Sequence, residues 1–288
     1  MSILLGTGLW GEVIDLEDGT VLKLTRRKCA GIGDGLVKLQ REVEVLHAFE
    51  AINEPLPISV ARVQGWGTQR QSLSSRELPQ VIQSDDDRKL WLRTTKLLGY
   101  ARTASELEWL PRPEKGEIAG SMATAIASIH TLLQQASVQL NLPSAEASLL
   151  MLLHEVEDDA EGSKYIEQLL KILETMRKLP QMPIHGDLNI SNLLFNRNEI
   201  TAVVDFAETR QGFYEEDIAA LISELPGYRE QLIEAIARQT GHVVDERKLR
   251  YGLALKALLS FLIARRLRVG SSLKIEQENL EHLLKILK

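Results

Sequence analysis

The sequence predicts an α+β fold of two lobes, a small β-rich lobe over residues 1–99 and a larger, mostly helical lobe over residues 100–288. Three observations predict it. The first hundred residues alternate apolar and polar positions around an Asp18-Gly19 turn, with a single helical stretch among them. Beyond Gly99 the apolar spacing changes to a helical period, as in Ile118, Met122, Ile126, Ile129 and Leu133. Within that helical half, one loop and hairpin from His185 to Asp205 breaks the pattern.

The elements follow in order. Glu12 to Leu16 alternates as a strand, Asp18-Gly19 turns the chain, and Val21 to Leu24 returns. Asp34 can cap a helix that begins near Gly35 and carries Leu36, Leu39, Val43 and Leu46 on one face. Val60 to Trp66 reads as a strand. Gln69 to Arg88 is polar and reads as a loop or insertion. Leu90 to Leu98 is a strand ended by Gly99. Helices are expected over 117–140, 144–159, 165–179, 217–224, 228–239, 245–268 and 273–287. Between the third and fourth of these, Leu193 to Phe195 and Ile200 to Val204 form a hairpin around Asn196-Arg197-Asn198, where asparagine tolerates a left-handed backbone.

Composition narrows the classes of function. Hydrophobic residues make up 44% and charged residues 26%, an ordinary globular balance. The net charge of −6 argues against nucleic acid as a partner, since a phosphate backbone needs a basic face. The single cysteine, Cys29, excludes an internal disulfide and a cysteine-based zinc site. Met1 to Leu5 lacks the basic start of a signal peptide. The most apolar run, Leu253 to Ala264, is interrupted by Lys256 and falls short of the roughly 20 residues that cross a bilayer. A cytoplasmic protein without membrane attachment is expected.

The segment His185-Gly186-Asp187-Leu188-Asn189-Ile190-Ser191-Asn192, with Val203-Val204-Asp205-Phe206 beyond it, carries the chemistry. It brings two carboxylates and a carboxamide together through a hairpin. Phosphoryl transfer needs such a set: one acceptor to orient a hydroxyl, and oxygen ligands to hold magnesium on the nucleotide phosphates. The kinase pattern H-R-D-L-x-x-x-N with a later D-F-G gives those jobs to the first Asp, the Asn and the second Asp. Here Gly186 replaces the Arg and Ala207 replaces the last Gly. These departures point away from protein kinases. The loop resembles that of the aminoglycoside phosphotransferase and choline kinase group, which reads H-G-D-x-x-x-x-N, although Asn189 and Ile190 stand where that group commonly has His and Pro. The resemblance implies a bilobal protein kinase-like fold, with a nucleotide-binding small lobe and a large lobe carrying the catalytic loop and substrate site. It also implies ATP, or another nucleoside triphosphate, and Mg2+ as cofactors. Asp187 would then be catalytic, and Asn192 and Asp205 the metal ligands.

Further parts fit that scheme. Gly6-Thr7-Gly8-Leu9-Trp10-Gly11-Glu12-Val13 matches G-x-G-x-x-G-x-V ahead of a hairpin, where Gly6, Gly8 and Gly11 would let backbone N–H groups approach phosphates. Lys23, in the return strand, would contact the α- and β-phosphates. Its partner acid is Glu42 or Glu44. With the apolar stripe centred near ~320° on the helix, Glu42 lies near ~240° and Glu44 near ~80°, so Glu42 borders the buried face. By resemblance, backbone groups from Lys96 to Leu98 would receive the adenine. His185 and His130 read as architectural, and Asp217 resembles the acid that caps the following helix and braces the loop. Glu208, Glu215 and Glu216 follow Asp205 and would favour a cationic hydroxylated substrate. A solvated face is the plainer reading of those acids. The rival readings are a pseudokinase or regulatory nucleotide-binding module, and a protein kinase. The latter lacks an Ala-Pro-Glu and room for an activation segment between Asp205 and Asp217.

Overall fold

The computed structural model describes residues 3–7, 11–26, 34–52, 58–68 and 89–287. Its amino-terminal part is an antiparallel sheet with one helix. The strands are β1 (Ile3–Thr7), β2 (Gly11–Asp15) and β3 (Thr20–Arg26); α1 (Gly35–Glu50) follows, then β4 (Val63–Thr68) and β5 (Lys89–Thr95). The sheet order is β1-β2-β3-β5-β4. Asp34 caps α1, its Oδ1 accepting the Leu36 N–H at 2.8 Å. Leu39, Val43 and Leu46 of α1 and Leu90 and Leu92 of β5 are buried together in the main core. Strand β1 was not expected from the sequence, β4 begins later than Val60, and β5 stops at Thr95. The expected insertion over 69–88 lies outside the described residues.

The chain then runs through β6 (Tyr100–Ala101), α2 (Ala104–Glu108) and α3 (Arg112–Ala136). Thr103 and Glu106 close α2 with a capping box, which the sequence reading had missed. Helix α3 starts earlier than expected because Pro113 fits a first helical turn, where its missing N–H costs nothing. Its stripe Ile118, Met122, Ile126, Ile129 and Leu133 is fully buried. Each such side chain contributes about 1.5–3 kcal/mol by leaving water, so α3 is the central post of the large lobe.

Helices α4 (Ala145–Glu155) and α5 (Ala160–Thr175) lead to the site segment: β7 (Met182–Ile184), β8 (Leu193–Asn196), β9 (Glu199–Val203) and β10 (Arg210–Gly212). β8 and β9 form the expected hairpin, but Arg197, not an asparagine, takes the left-handed backbone at φ 57°. Ser59 bonds to β9 on both sides, its N–H to the Thr201 carbonyl at 3.0 Å and its carbonyl from the Val203 N–H at 3.2 Å. This ties the segment after α1 to the strand leading to Asp205.

The last helices are α6 (Tyr214–Glu224), α7 (Arg229–Thr240), α8 (Glu246–Arg266) and α9 (Gly270–Leu287). α8 packs closely on α6 at Gly252, where a Cβ would meet the Ala219 Cβ at 2.8 Å and the Glu216 Cα at 3.0 Å. No described helix is long and apolar enough to cross a membrane.

Candidate active site

Strand β7 delivers His185 and Gly186 to the start of the loop. Gly186 has φ +81°, and a Cβ there would lie 2.2 Å from the Glu208 carbonyl oxygen. Both facts demand glycine, which accounts for Gly where protein kinases place Arg. His185 is fully buried. Its Nδ1 accepts the Asp187 N–H at 3.3 Å, and its Nε2 donates to the Val204 carbonyl at 3.1 Å. Both ring nitrogens are thus spent on the backbone on either side of the site, an architectural use.

Asp217 holds the same turn from below. Its buried carboxylate accepts from the His185 N–H and the Gly186 N–H, each at 2.9 Å, and from His130 Nε2 at 2.7 Å. Burial raises its pKa, but His130 and these donors prevail and hold it below the usual carboxylate range. The expected capping role for Asp217 is corrected here. Glu216 closes the start of α6 by accepting the Phe213 N–H at 2.8 Å, while Asp217, one residue further on, faces the loop instead.

Past Gly186, the Asp187 carboxylate opens towards solvent with a side chain 33% exposed. Leu188, fully buried, anchors the backbone behind it. Asn189 donates to Asp187 Oδ2 at 3.2 Å and caps the short 3-10 turn Ile190–Asn192. Asn192 spends its amide N–H on the Asp187 carbonyl at 2.9 Å. Its amide oxygen takes no hydrogen bond among the described residues. The Val204 N–H donates to the Asn192 carbonyl at 3.0 Å, which folds the end of the hairpin back to the loop.

Asp205 follows in a left-handed conformation, φ 66°, a backbone that residues with a Cβ rarely adopt. Phe206 is buried behind it, edge-on to Phe49 of α1 and tilted against His185. Asp205 Oδ1 lies 2.7 Å from Lys23 Nζ, and Glu42 Oε2 lies 2.8 Å from the same nitrogen. The helix therefore presents Glu42 to Lys23, while Glu44 is exposed and pairs with Arg41. Burial would lower the Lys23 pKa, yet the Asp205 and Glu42 carboxylates outweigh it and raise it. Burial raises Glu42; Lys23 opposes this and Asp205 reinforces it, with a net rise. Burial also raises Asp205, but there the Lys23 charge wins and the carboxyl is lowered. Two acids share one ammonium, and the more exposed Asp205 carries the negative charge more readily.

Asp205 and the free Asn192 oxygen are hard donors suited to Mg2+, which takes one or two protein ligands and completes its shell with phosphate and water. No group of three or more His, Cys, Asp or Glu among the described residues offers an alternative metal site.

The remaining expected contacts fare differently. Gly6 pairs with Val13 at the end of β1, and Gly11 pairs with Thr25. A Cβ on Gly11 would lie 1.7 Å from the Leu24 carbonyl oxygen, so the sheet itself requires this glycine. Gly8 lies outside the described residues, as does Cys29. The Lys96 N–H is committed to the Gly19 carbonyl at 2.9 Å, and its Nζ to Asp15 at 2.6 Å. Lys96 therefore cannot offer that N–H to an adenine. Leu98 is 87% exposed, and its carbonyl accepts from Thr201 Oγ1 at 2.9 Å.

Of the acids expected to form a surface after Asp205, Glu215 and Glu216 are buried and Glu208 stays partly exposed. Glu208 pairs with Lys38, Glu216 with Arg210, and the buried Glu215 with His242 and the Asp245 N–H. Sequence reading also missed a residue at the centre of the site. Lys256 of α8 places its Nζ 2.8 Å from Asp187 Oδ1. The available signal was a lone lysine inside the apolar run Leu253 to Ala264, a position that burial makes costly without a partner.

The chain matches the model of a family described as the phosphotransferase enzyme family over residues 14–251. No curated protein matches it significantly. In three dimensions it is similar to solved aminoglycoside phosphotransferases. One is aminoglycoside 2'-phosphotransferase-IIIa in its GDP complex, with TM-score 0.68 and 17% identity over 99% of this chain and 92% of that one. Another is the gentamicin complex of APH(2'')-IIa, with TM-score 0.67 and 17% identity over 97% and 90%. A third is a thermostable mutant of APH(4)-Ia, with TM-score 0.64 and 15% identity over 99% and 94%. This likeness establishes the protein kinase-like fold.

Proposed function

The chain belongs to the phosphotransferase enzyme family, and on that premise we propose that it is a Mg2+- and ATP-dependent kinase of a small hydroxylated molecule. The single observation that carries this reading is the convergence of Lys23 of β3, Glu42 of α1 and Asp205 within 2.8 Å contacts, with Asp205 at the end of a hairpin tied to the Asp187 loop. A packing role does not call for a lysine shared by two carboxylates, one of them on a left-handed backbone. Residues 1–99 form the nucleotide lobe in this reading, and residues 100–288 carry the catalytic loop and substrate.

Asp187 accepts a hydrogen bond from the acceptor hydroxyl and directs its oxygen at the γ-phosphorus. The new O–P bond forms as the bond from phosphorus to the β,γ-bridging oxygen breaks. The hydroxyl proton passes to Asp187, and the phosphorylated product and nucleoside diphosphate leave. Lys23 neutralises charge on the α- and β-phosphates, and Glu42 keeps its ammonium in place. The loop from Gly6 through Gly8 to Gly11 covers the phosphates, and backbone groups from the Lys96 carbonyl to the Leu98 N–H receive the adenine. Asn192 and Asp205 would hold Mg2+, which when bound neutralises charge on the phosphates. The short connection from Phe206 to Phe213 before α6 leaves no room for a peptide-binding activation segment, which favours a small acceptor over a protein.

The test is ATP consumption by purified protein against a panel of hydroxylated metabolites and antibiotics. Asp187→Asn should lower turnover by about 10²–10⁴-fold while nucleotide still binds. Turnover within about threefold of wild type, only ~0.7 kcal/mol of barrier, would remove Asp187 from the mechanism.

A further inference from the structure

Among the described residues, two side chains bond the Asp187 carboxylate, Asn189 from its own loop and Lys256 from α8. Lys256 interrupts the apolar run Leu253 to Ala264, and its neighbours Leu255 and Ala257 are buried. A lysine set among such residues needs a partner, and its partner is the carboxylate that the acceptor hydroxyl must reach. Lys256 holds Asp187 Oδ1 at 2.8 Å while Asn189 holds Oδ2 at 3.2 Å. A carboxylate has about four lone-pair positions, so a hydroxyl can join without displacing either donor.

The consequence for the acceptor is geometric. A hydroxyl bonded to Asp187 sits about 2.7 Å from a carboxylate oxygen. If that oxygen is Oδ1, the hydroxyl lies no more than about 5.5 Å from the Lys256 ammonium, whatever its direction. Substituents on the next one or two carbons come within direct reach of that charge. An ammonium has three N–H donors, and only one is spent on Asp187. The Lys256 side chain remains 19% exposed. Of the acids that follow Asp205, Glu215 and Glu216 are buried in pairs with His242 and Arg210, and Glu208 is paired with Lys38.

We infer that Lys256 determines specificity by binding a carboxylate on the acceptor, and that the acceptor is a small hydroxy acid with its carboxylate within two carbons of the hydroxyl. This rests on the kinase reading above. It sets the chain apart from the aminoglycoside-bound neighbours, since an amine beside the hydroxyl would meet a fixed ammonium of like charge. A carboxylate there forms a charge-assisted hydrogen bond.

The experiment uses the full chain with Mg-ATP and three acceptors on one carbon scaffold: glycerate, glycerol and 3-amino-1,2-propanediol. Larger hydroxy acids, sugars and kanamycin extend each charge class. Wild type should favour the carboxylates over the amines by roughly tenfold or more in kcat/KM. Lys256→Met should bring that ratio towards one, and Lys256→Glu should invert it. A role confined to the γ-phosphate or to packing would lower all three classes together and leave their order unchanged, which would overturn the inference. Preferred turnover of amines by wild type would overturn it too, and would leave the kinase reading standing. If a protein that binds Mg-ATP phosphorylates no member of any class, both readings fail.

Discussion

Replacing Asp217 by asparagine separates a brace from a bystander. The carboxylate is fully buried and accepts three hydrogen bonds, one each from the Gly186 N–H, the His185 N–H and His130. An asparagine of the same shape offers one oxygen in place of two. Its NH2 must replace either Oδ1, facing the Gly186 N–H, or Oδ2, facing the His185 N–H and His130 Nε2. Either choice sets a donor against a backbone donor in the buried interior. A buried bond to an ionised group is worth about 1.5–3 kcal/mol, and an unsatisfied buried donor costs about 1–3 kcal/mol. The expected loss for Asp217→Asn is therefore about 2–4 kcal/mol, a large share of the 5–15 kcal/mol typical of a whole domain. Urea unfolding followed by tryptophan fluorescence should show a lower midpoint at unchanged slope. The pH dependence has a definite sign. The folded pKa of Asp217 lies below its unfolded value, so its contribution is present above that unfolded value, about 4, and is lost as pH falls through the folded one. The gap between wild type and variant should therefore close below about pH 4. A loss under about 1 kcal/mol at neutral pH, or a gap that widens in acid, would refute the brace.

Other perturbations probe the neighbouring parts. Gly186→Ala should destabilise the fold by more than about 1 kcal/mol, because the left-handed backbone and the Glu208 carbonyl both oppose a Cβ; an unchanged melting temperature would contradict this. Lys23→Met and Glu42→Gln should each weaken ATP binding, measured by calorimetry, and the double variant should lose less than their sum; strict additivity would mean the pair does not act as a unit. ATP should raise the melting temperature more with Mg2+ than with chelator, and Asp205→Ala should abolish the difference; a shift indifferent to metal in both proteins would count against Asp205 as a ligand.

Elements whose signals were local were readable from sequence. The Asp18-Gly19 turn places β2 against β3, and the five-residue stripe of α3 is buried throughout. Helical phase separated Glu42 from Glu44, because one side of α1 packs on the sheet. What escaped depends on partners distant in the chain. Ile3–Thr7 is a strand only because β2 pairs with it, with a shift of register between Leu4 and Gly6, and nothing in its short apolar composition says so. Glu215 and Glu216 look like a solvated acidic run, yet both are buried, since His242 and Arg210 come to meet them. Lys256 and Asp187 are 69 positions apart, and no periodicity in either segment announces their meeting.

Gly252 gives that meeting its gauge. It lies one helical turn before Lys256, on the same side of α8, and it marks the point where α8 rests on α6. A helix is stiff over a single turn, so the clearance set at Gly252 is handed on almost unchanged at Lys256. A methyl at position 252 would act as a shim, prising the two helices apart by a good fraction of an ångström. The Lys256 to Asp187 separation of 2.8 Å would drift towards the ~3.5 Å at which a hydrogen bond ceases to be one. The packing of α8 on α6, one turn from Lys256, thus rests on a residue with no side chain.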